Sequence, residues 1–165
     1  NLNKNKPIVY IGLANPRKGV YEVFNKLKKN NFTLVTSGPK NNTPDIDVTY
    51  LNLSHYEYRL LLNVSDVVVL MSKLPEGWSR VAHESLLSKT PVVGSGICGM
   101  MEMLEGANQI ICKNINNLDY YVNNSITNKI LLSKKGFDYI KKYNFNYFRK
   151  SWFNIINKSN IKLGE

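Results

Sequence analysis

The chain alternates short apolar runs with amphipathic stretches from end to end. Ile8 to Gly12 is an apolar run bounded by Pro7 and Gly12, and it predicts an opening strand. A loop containing Gly and Pro follows from Leu13 to Lys18. Val20, Val23, Phe24 and Leu27 then recur at helical spacing, which predicts a helix to about Lys29. Phe32 to Thr36 reads as a second strand, ended by Ser37-Gly38-Pro39. The polar loop Asn41 to Asp47 leads to a third strand, Val48 to Leu51. His55 to Asn63 is expected to be a short helix with Leu60 and Leu61 facing in.

Val67 to Leu70 shows no alternation of apolar and polar positions, the pattern of a strand covered on both faces. Ser79 to Ser88 is predicted as a helix, Pro91 to Gly94 as a strand, Met100 to Leu104 as a helical turn and Gln109 to Cys112 as a strand. From Leu118 the pattern is mostly helical, ending in the amphipathic segment Asn146 to Asn157. Strands that alternate with helices in this way predict an α/β fold, a Rossmann-like parallel sheet with helices on both faces and right-handed crossovers. Ligands of such sheets lie at the carboxyl ends of the strands. Those ends are the loops 12–18, 37–40, 71–79 and 95–100, each rich in Gly, Pro, Ser or charge, and they are expected to line one crevice.

Composition narrows the picture further. The 165 residues suffice for one domain with its own core, and the apolar share of 43% is ordinary for a globular protein. No stretch approaches the roughly 20 apolar residues of a membrane-spanning helix. Residues 1–6 are polar, begin with Asn1 and lack the apolar centre of a signal peptide, so they are expected to be the remnant of a linker in a longer chain. The domain is expected to occupy residues 7–160, with a tail at 161–165. Cys98 and Cys112 have no partners at metal-ligand spacing; both sit among apolar residues and are expected to be buried thiols, as in a reducing cytoplasm. The two histidines, His55 and His83, do not form a metal set, so no metal is expected. The net charge of +10 admits nucleic acid, anionic lipid or an anionic ligand as partner. Its lysines are scattered along helices, and no motif interleaves aromatic and basic residues, so no nucleic-acid partner is expected.

The most informative segment is Pro75-Glu76-Gly77-Trp78-Ser79-Arg80-Val81-Ala82-His83-Glu84-Ser85-Leu86. Glu76 lies in the loop after the most buried strand and Glu84 lies inside the following helix. Eight helical steps of about 100° return to within roughly 80° of the starting face, so both carboxylates can address one ligand across the helix start. The N–H groups of Ser79, Arg80 and Val81 have no intrahelical partners and point outward with the positive end of the helix dipole, which favours a phosphate. Gly77 is expected to let the backbone approach a ligand closely. Taken alone, two such glutamates would be ordinary surface charges. The buried strand before them, Gly77 between them and the apolar strand after them favour a binding site.

The run Glu76 to Glu84, followed by Thr90-Pro91-Val92-Val93 and by Gly99-Met100-Met101-Glu102, resembles the signature of the retaining, family 4 type of GT-B glycosyltransferase. Ile11-Gly12-Leu13-Ala14-Asn15-Pro16-Arg17-Lys18-Gly19 resembles the first strand and Lys-Gly pair of that family, and Phe145 to Trp152 its closing helix. The resemblance covers nearly the whole chain but only the donor-binding, carboxyl-terminal domain of the enzyme. It implies transfer of a sugar, such as a hexose from UDP or GDP, with no cofactor beyond the nucleotide sugar. It also implies an amino-terminal domain that holds an acceptor glycan, lipid or protein. A chain lacking that domain is expected to be inactive. The location implied is the cytoplasm, with attachment to the inner membrane face open.

By the same resemblance, Glu84 matches the glutamate that holds the ribose hydroxyls and Glu76 the one near the transferred sugar. Lys18 matches a lysine on the pyrophosphate, with Gly12 beside it at the strand end. The amides of Ser79, Arg80 and Val81 match those that cradle the phosphates, with Gly77 and Trp78 in the same loop. Three positions depart from the family. Leu13 stands where an arginine is usual, and Arg17 is a candidate to replace it. Trp78 stands for a usual Phe, and His83 occupies a place that is commonly apolar. Fixed positive charge from Lys18 and the helix start would stabilise charge developing on the diphosphate, the preorganised term that dominates much of catalysis. Glu102 is open to capping its short helix or reaching the sugar, and Met100, Met101 and Met103 are read as core fillers. The competing readings are an inactive binding or regulatory module of the same fold, and an epimerase or phosphorylase, for which no residue speaks.

Overall fold

A computed structural model of the chain describes residues 5–38, 46–75 and 77–161, with side chains as far as 157. Glu76, Pro39, Lys40, most of the expected 41–47 loop and both chain ends (1–4 and 162–165) lie outside the described residues. The elements run β1 (Ile8–Leu13), α1 (Val20–Leu27), β2 (Thr33–Ser37), β3 (Thr49–Leu51), α2 (His55–Val64), β4 (Val67–Leu70) and α3 (Arg80–Leu87). They continue as β5 (Val92–Gly94), α4 (Gly99–Gly106), β6 (Ile110–Ile111), α5 (Leu118–Thr127), α6 (Lys129–Ile140) and α7 (Phe145–Ile161). The strands form one sheet in the order β3-β2-β1-β4-β5-β6, and every neighbouring pair is parallel. The expected α/β sheet with helices on both faces is therefore the fold.

Alternation within the apolar strands supplies both faces of the core. Val9, Ile11, Val67 and Val69 point to the side covered by α1 and α5. Tyr10, Val68 and Val92 point to the side covered by α2, α3, α4 and α6. Strand order reverses between β1 and β4, so the chain leaves their carboxyl ends in opposite directions and opens a crevice there. Behind that edge, buried Gln109 ties three elements together. Its Oε1 accepts from Val92 N–H at 3.0 Å, and its Nε2 donates to the carbonyls of Ala107 (2.9 Å) and Leu132 (3.0 Å).

Three expectations are corrected. In α2 a capping box fixes the start: Glu57 N–H donates to Ser54 Oγ and Ser54 N–H to Glu57 Oε2. The inward stripe then runs through Tyr58, Leu61 and Leu62, which leaves Leu60 exposed, one residue off that face. Cys98 is exposed, not buried: it has φ 54° in the turn before α4, which directs it away from buried Met100. Cys112 is buried, as expected. Met100 and Met103 fill the core, but Met101 is half-buried and lines a surface depression. The last helix, α7, presents Phe145, Phe148, Trp152, Ile155 and Ile156 on one exposed face. No described helix is long and apolar enough to cross a membrane.

Candidate functional site

The crevice begins with the end of β1. Gly12 has φ 87°, a left-handed conformation that a side chain would strain, and the strand turns outward there. Thr36 Oγ1 donates to the Gly12 carbonyl at 2.7 Å and Ala14 N–H to the Ser37 carbonyl at 2.8 Å, so β2 holds the turn in place. Asn15 caps the single 3-10 turn Pro16–Lys18 by accepting from Arg17 N–H at 2.9 Å. Gly19, at φ 74°, ends that turn, and a β-carbon there would collide with the Met71 carbonyl. Lys73 N–H also donates to the Arg17 carbonyl at 3.1 Å. The first loop is thus pinned against the loop that leaves β4.

On the opposite wall stands the start of α3. Ser79 is its N-cap and is buried; its Oγ accepts from Ala82 N–H at 3.5 Å. The next two amides, of Arg80 and Val81, have no intrahelical acceptor because no turn precedes them. A cavity of about 200 Å³ lies between the walls, lined by Gly12, Leu13, Lys18, Ser79, Arg80 and Val81 among others. Five of the residues singled out from sequence meet here: Gly12, Lys18, Ser79, Arg80 and Val81. A second hollow of about 280 Å³ adjoins it at the ends of β2 and β3, lined by Leu13, Ser37, Gly38, Asn52, His55 and Tyr58. Leu13 borders both. A larger depression of about 790 Å³ lies on the other side of β4, with Met71, Ile97 and Ile115 in its wall. It holds none of the site residues named individually from sequence and shares only Ser72 with the crevice, but the expectation of one crevice is corrected here: Ser95, Gly96 and Ile97 of the 95–100 loop line this depression and not the Lys18 cavity, because β4 separates the two.

Other expected residues stand outside the first cavity. Arg17 is exposed and does not line it; its main chain, not its side chain, serves the loop. Gly77 has open space where a β-carbon would stand, and its backbone is met from the other side by Gly99 of α4, whose β-carbon would stand 2.7 Å from the Gly77 carbonyl carbon. Trp78 turns its indole away, toward His83 and Tyr143. Glu84 is half-buried one turn further along α3, beside Tyr58 and Tyr10. Glu102 is exposed in the first turn of α4.

Sequence reasoning overlooked Tyr58. Its position on the Leu61–Leu62 stripe of α2 was the available signal, since that spacing turns it inward. Its hydroxyl is buried beside Glu84 without a hydrogen bond of normal geometry. Burial pushes this phenol well above its ordinary value, and Tyr10 and the Glu84 carboxylate add to the effect. Tyr10 is raised by burial as well, against the opposing bond between its hydroxyl and Ser37 Oγ at 2.7 Å. Burial lowers the His83 pKa, and the Glu84 carboxylate opposes this. Among the described residues no group of three His, Cys, Asp or Glu could hold a metal ion.

The fold, laid against solved structures, is that of GT-B glycosyltransferases. Sucrose-phosphate synthase of Thermosynechococcus elongatus matches with a TM-score of 0.78 at 17% identity, over 98% of this chain and 47% of its own. An α,α-trehalose-phosphate synthase (UDP-forming) of Burkholderia vietnamiensis matches with a TM-score of 0.75 at 12% identity, over 97% and 45%. HepE of Anabaena, solved in complex with UDP, matches with a TM-score of 0.74 at 17% identity, over 92% and 48%. The chain therefore spans about half the length of these structures, and at such identities the likeness is one of fold. No protein-family model and no curated protein matches the sequence.

Proposed function

We propose that residues 7–160 form the donor-binding domain of a retaining glycosyltransferase that takes its sugar from a nucleoside-diphosphate sugar. One observation carries this reading. The cavity at the strand-order reversal brings Lys18 from the first loop against the unpaired amides of Arg80 and Val81 at the start of α3. That is an anion site of diphosphate character. The hollow beyond Leu13 takes the nucleoside, and Glu84 with Tyr58 beside it accepts the ribose hydroxyls. Structures of the same fold solved with UDP and with UDP-glucose support the nucleotide-sugar class.

In the reaction the bond between the anomeric carbon and the diphosphate breaks, and negative charge grows on the leaving oxygens. Lys18 and the α3 amides stabilise that charge where it develops, each contact contributing about 2–4 kcal/mol by analogy with oxyanion donors. Glu76, from the loop before α3, orients the sugar or stabilises its cationic character. The acceptor is held by a second domain, and turnover needs the cleft closed between the two. A cytoplasmic location, including the inner membrane face, belongs to the same proposal.

The test is calorimetric titration with UDP, GDP and ADP and their sugar conjugates, with Glu84→Ala alongside. Binding of one nucleotide, weakened about tenfold or more in the variant, supports the reading. Equal affinity of wild type and variant removes Glu84 from the site. No binding by any nucleotide favours the alternative, an inactive module that keeps the fold.

A further inference from the structure

Two of the positions that depart from the family pattern are joined to each other. Trp78 Nε1–H donates to His83 Nδ1 at 2.9 Å across the first turn of α3. The other side of the indole packs on Tyr143, in the link between α6 and α7, with ring centres 4.8 Å apart. Tyr143 is itself held: its hydroxyl donates to Tyr139 at 3.0 Å, its ring meets Tyr147 of α7 at 5.1 Å, and the Lys142 ammonium lies 4.9 Å from its ring centre. Trp78 immediately precedes Ser79, the cap of α3, and follows Gly77, whose backbone is pressed against Gly99. A side chain locked at this point fixes the main chain that offers the Arg80 and Val81 amides to the cavity.

We propose that Trp78, clamped between His83 and Tyr143, is a positioning residue for the diphosphate site, and that the clamp holds only while His83 is neutral. The proposal rests on the donor-site reading above. Nδ1 accepts the indole proton only when it carries none, which assigns the other tautomer, with the proton on Nε2. Protonation places two donors face to face and the bond is lost. Among the described residues, these groups stand around the pair. Glu84 neighbours His83 on α3, with Tyr58 of α2 and Tyr10 of β1 around that carboxylate. Tyr143 meets the indole; Tyr139 of α6, Tyr147 of α7 and Lys142 between the two helices lie against Tyr143, and Glu102 of α4 acts on Tyr139. Burial of the imidazole opposes protonation and Glu84 favours it, burial being the larger. The clamp therefore opens below the ordinary histidine value of 6.5.

The sequence has two tryptophans, so Trp152→Phe leaves Trp78 as the sole indole emitter. Its fluorescence is expected to titrate once, with a midpoint below 6.5, as the imidazolium quenches it. Adding His83→Asn, which keeps an acceptor oxygen but does not titrate, should flatten the curve. UDP affinity, measured by calorimetry between pH 7.5 and pH 5, should fall about five-fold more in wild type than in His83→Asn, the loss of one hydrogen bond. The ligand's own protonation is common to both proteins and cancels in that ratio. Trp78→Phe, which keeps the ring but loses the donor, should bind about five-fold more weakly at pH 7.5 and show the shallow pH dependence of His83→Asn. A flat Trp78 titration in the His83 protein overturns the clamp. A ratio of affinities that does not change with pH overturns the positioning role alone. Failure of wild type to bind UDP or any other nucleotide at pH 7.5 overturns the donor reading and the positioning role with it, whatever the fluorescence does.

Discussion

Gly99 and Gly77 meet backbone to backbone. A β-carbon on Gly99 would stand 2.7 Å from the Gly77 carbonyl carbon and 2.9 Å from its oxygen, closer than side chains approach main chain. The contact lets the first turn of α4 brace the loop between β4 and α3. Gly99→Ala must push that loop aside, because the obstacle is backbone and cannot rotate out of the way. The expected cost is about 1–3 kcal/mol, a fall in melting temperature of about 2–4 °C for each kcal/mol. Nucleotide affinity should fall with it. Gly77→Ala, which meets open space, should change stability by less than about 0.5 kcal/mol. Thermal melts of the two variants side by side check the asymmetry.

Tyr58 carries a buried hydroxyl with no partner of normal geometry. Such a group is a cost in the folded protein unless a ligand meets it. Tyr58→Phe is therefore expected to leave the melting temperature unchanged or raise it, by up to about 1 kcal/mol in stability. In the presence of nucleotide the order should reverse, with the variant stabilised less than wild type by the same UDP concentration. A lower melting temperature without nucleotide would show that the hydroxyl is already satisfied in the free protein.

Lys73 donates to Glu22 Oε1 and joins the loop after β4 to α1. Burial, the largest single influence, would raise the Glu22 carboxyl; the Lys73 bond, a backbone hydrogen bond and the Lys73 charge together outweigh it and hold the group below its ordinary value of 4.5. A depressed carboxylate contributes stability above its unfolded value, and that contribution is lost as pH falls through the folded one. Lys73→Gln should then be less stable than wild type at pH 7, by at most about 1 kcal/mol because both side chains are well exposed. The difference should shrink as pH falls below 4.5 and vanish once pH has passed through the lowered value of the folded carboxyl. Chemical denaturation followed from pH 7 downward measures it.

Most of the fold was legible because the strands are short and buried. Runs such as Val67–Leu70, flanked by turn residues, state their own type. The site was legible in its main chain: a strand end, a Lys-Gly pair and a capped helix start are local features, and the fold only has to bring them together. What escaped was long-range. Nothing local says that Trp78 turns from the cavity to His83 and Tyr143, because Tyr143 lies 65 residues further on in the chain. Nor does any local pattern announce that Gly99 packs against the Gly77 backbone, 22 residues earlier in the chain. Cys98 reads as buried from its apolar neighbours, yet a single left-handed residue before α4 turns it outward.

Leu13 offers the sharpest test of the diphosphate reading. It is 44% exposed, borders both the Lys18 cavity and the hollow beyond it, and stands where the family pattern carries arginine. An arginine there would extend over the same opening, with its charge in solvent until a ligand arrives. Its nearest constraint is Gly38, where a β-carbon would lie 2.7 Å from Leu13 Cδ1. That position remains glycine in the variant, so the longer side chain has room. Leu13→Arg should therefore leave the melting temperature near wild type and raise UDP affinity about ten-fold. This corresponds to one charge-assisted hydrogen bond of about 1.5 kcal/mol. The gain should shrink as salt is raised, because the new contact is exposed and screened, and it should be absent for uridine, which carries no phosphate. A variant that gains equally for uridine and UDP would place the new charge at the nucleoside, and the phosphate assignment of the Lys18 cavity would have to be withdrawn.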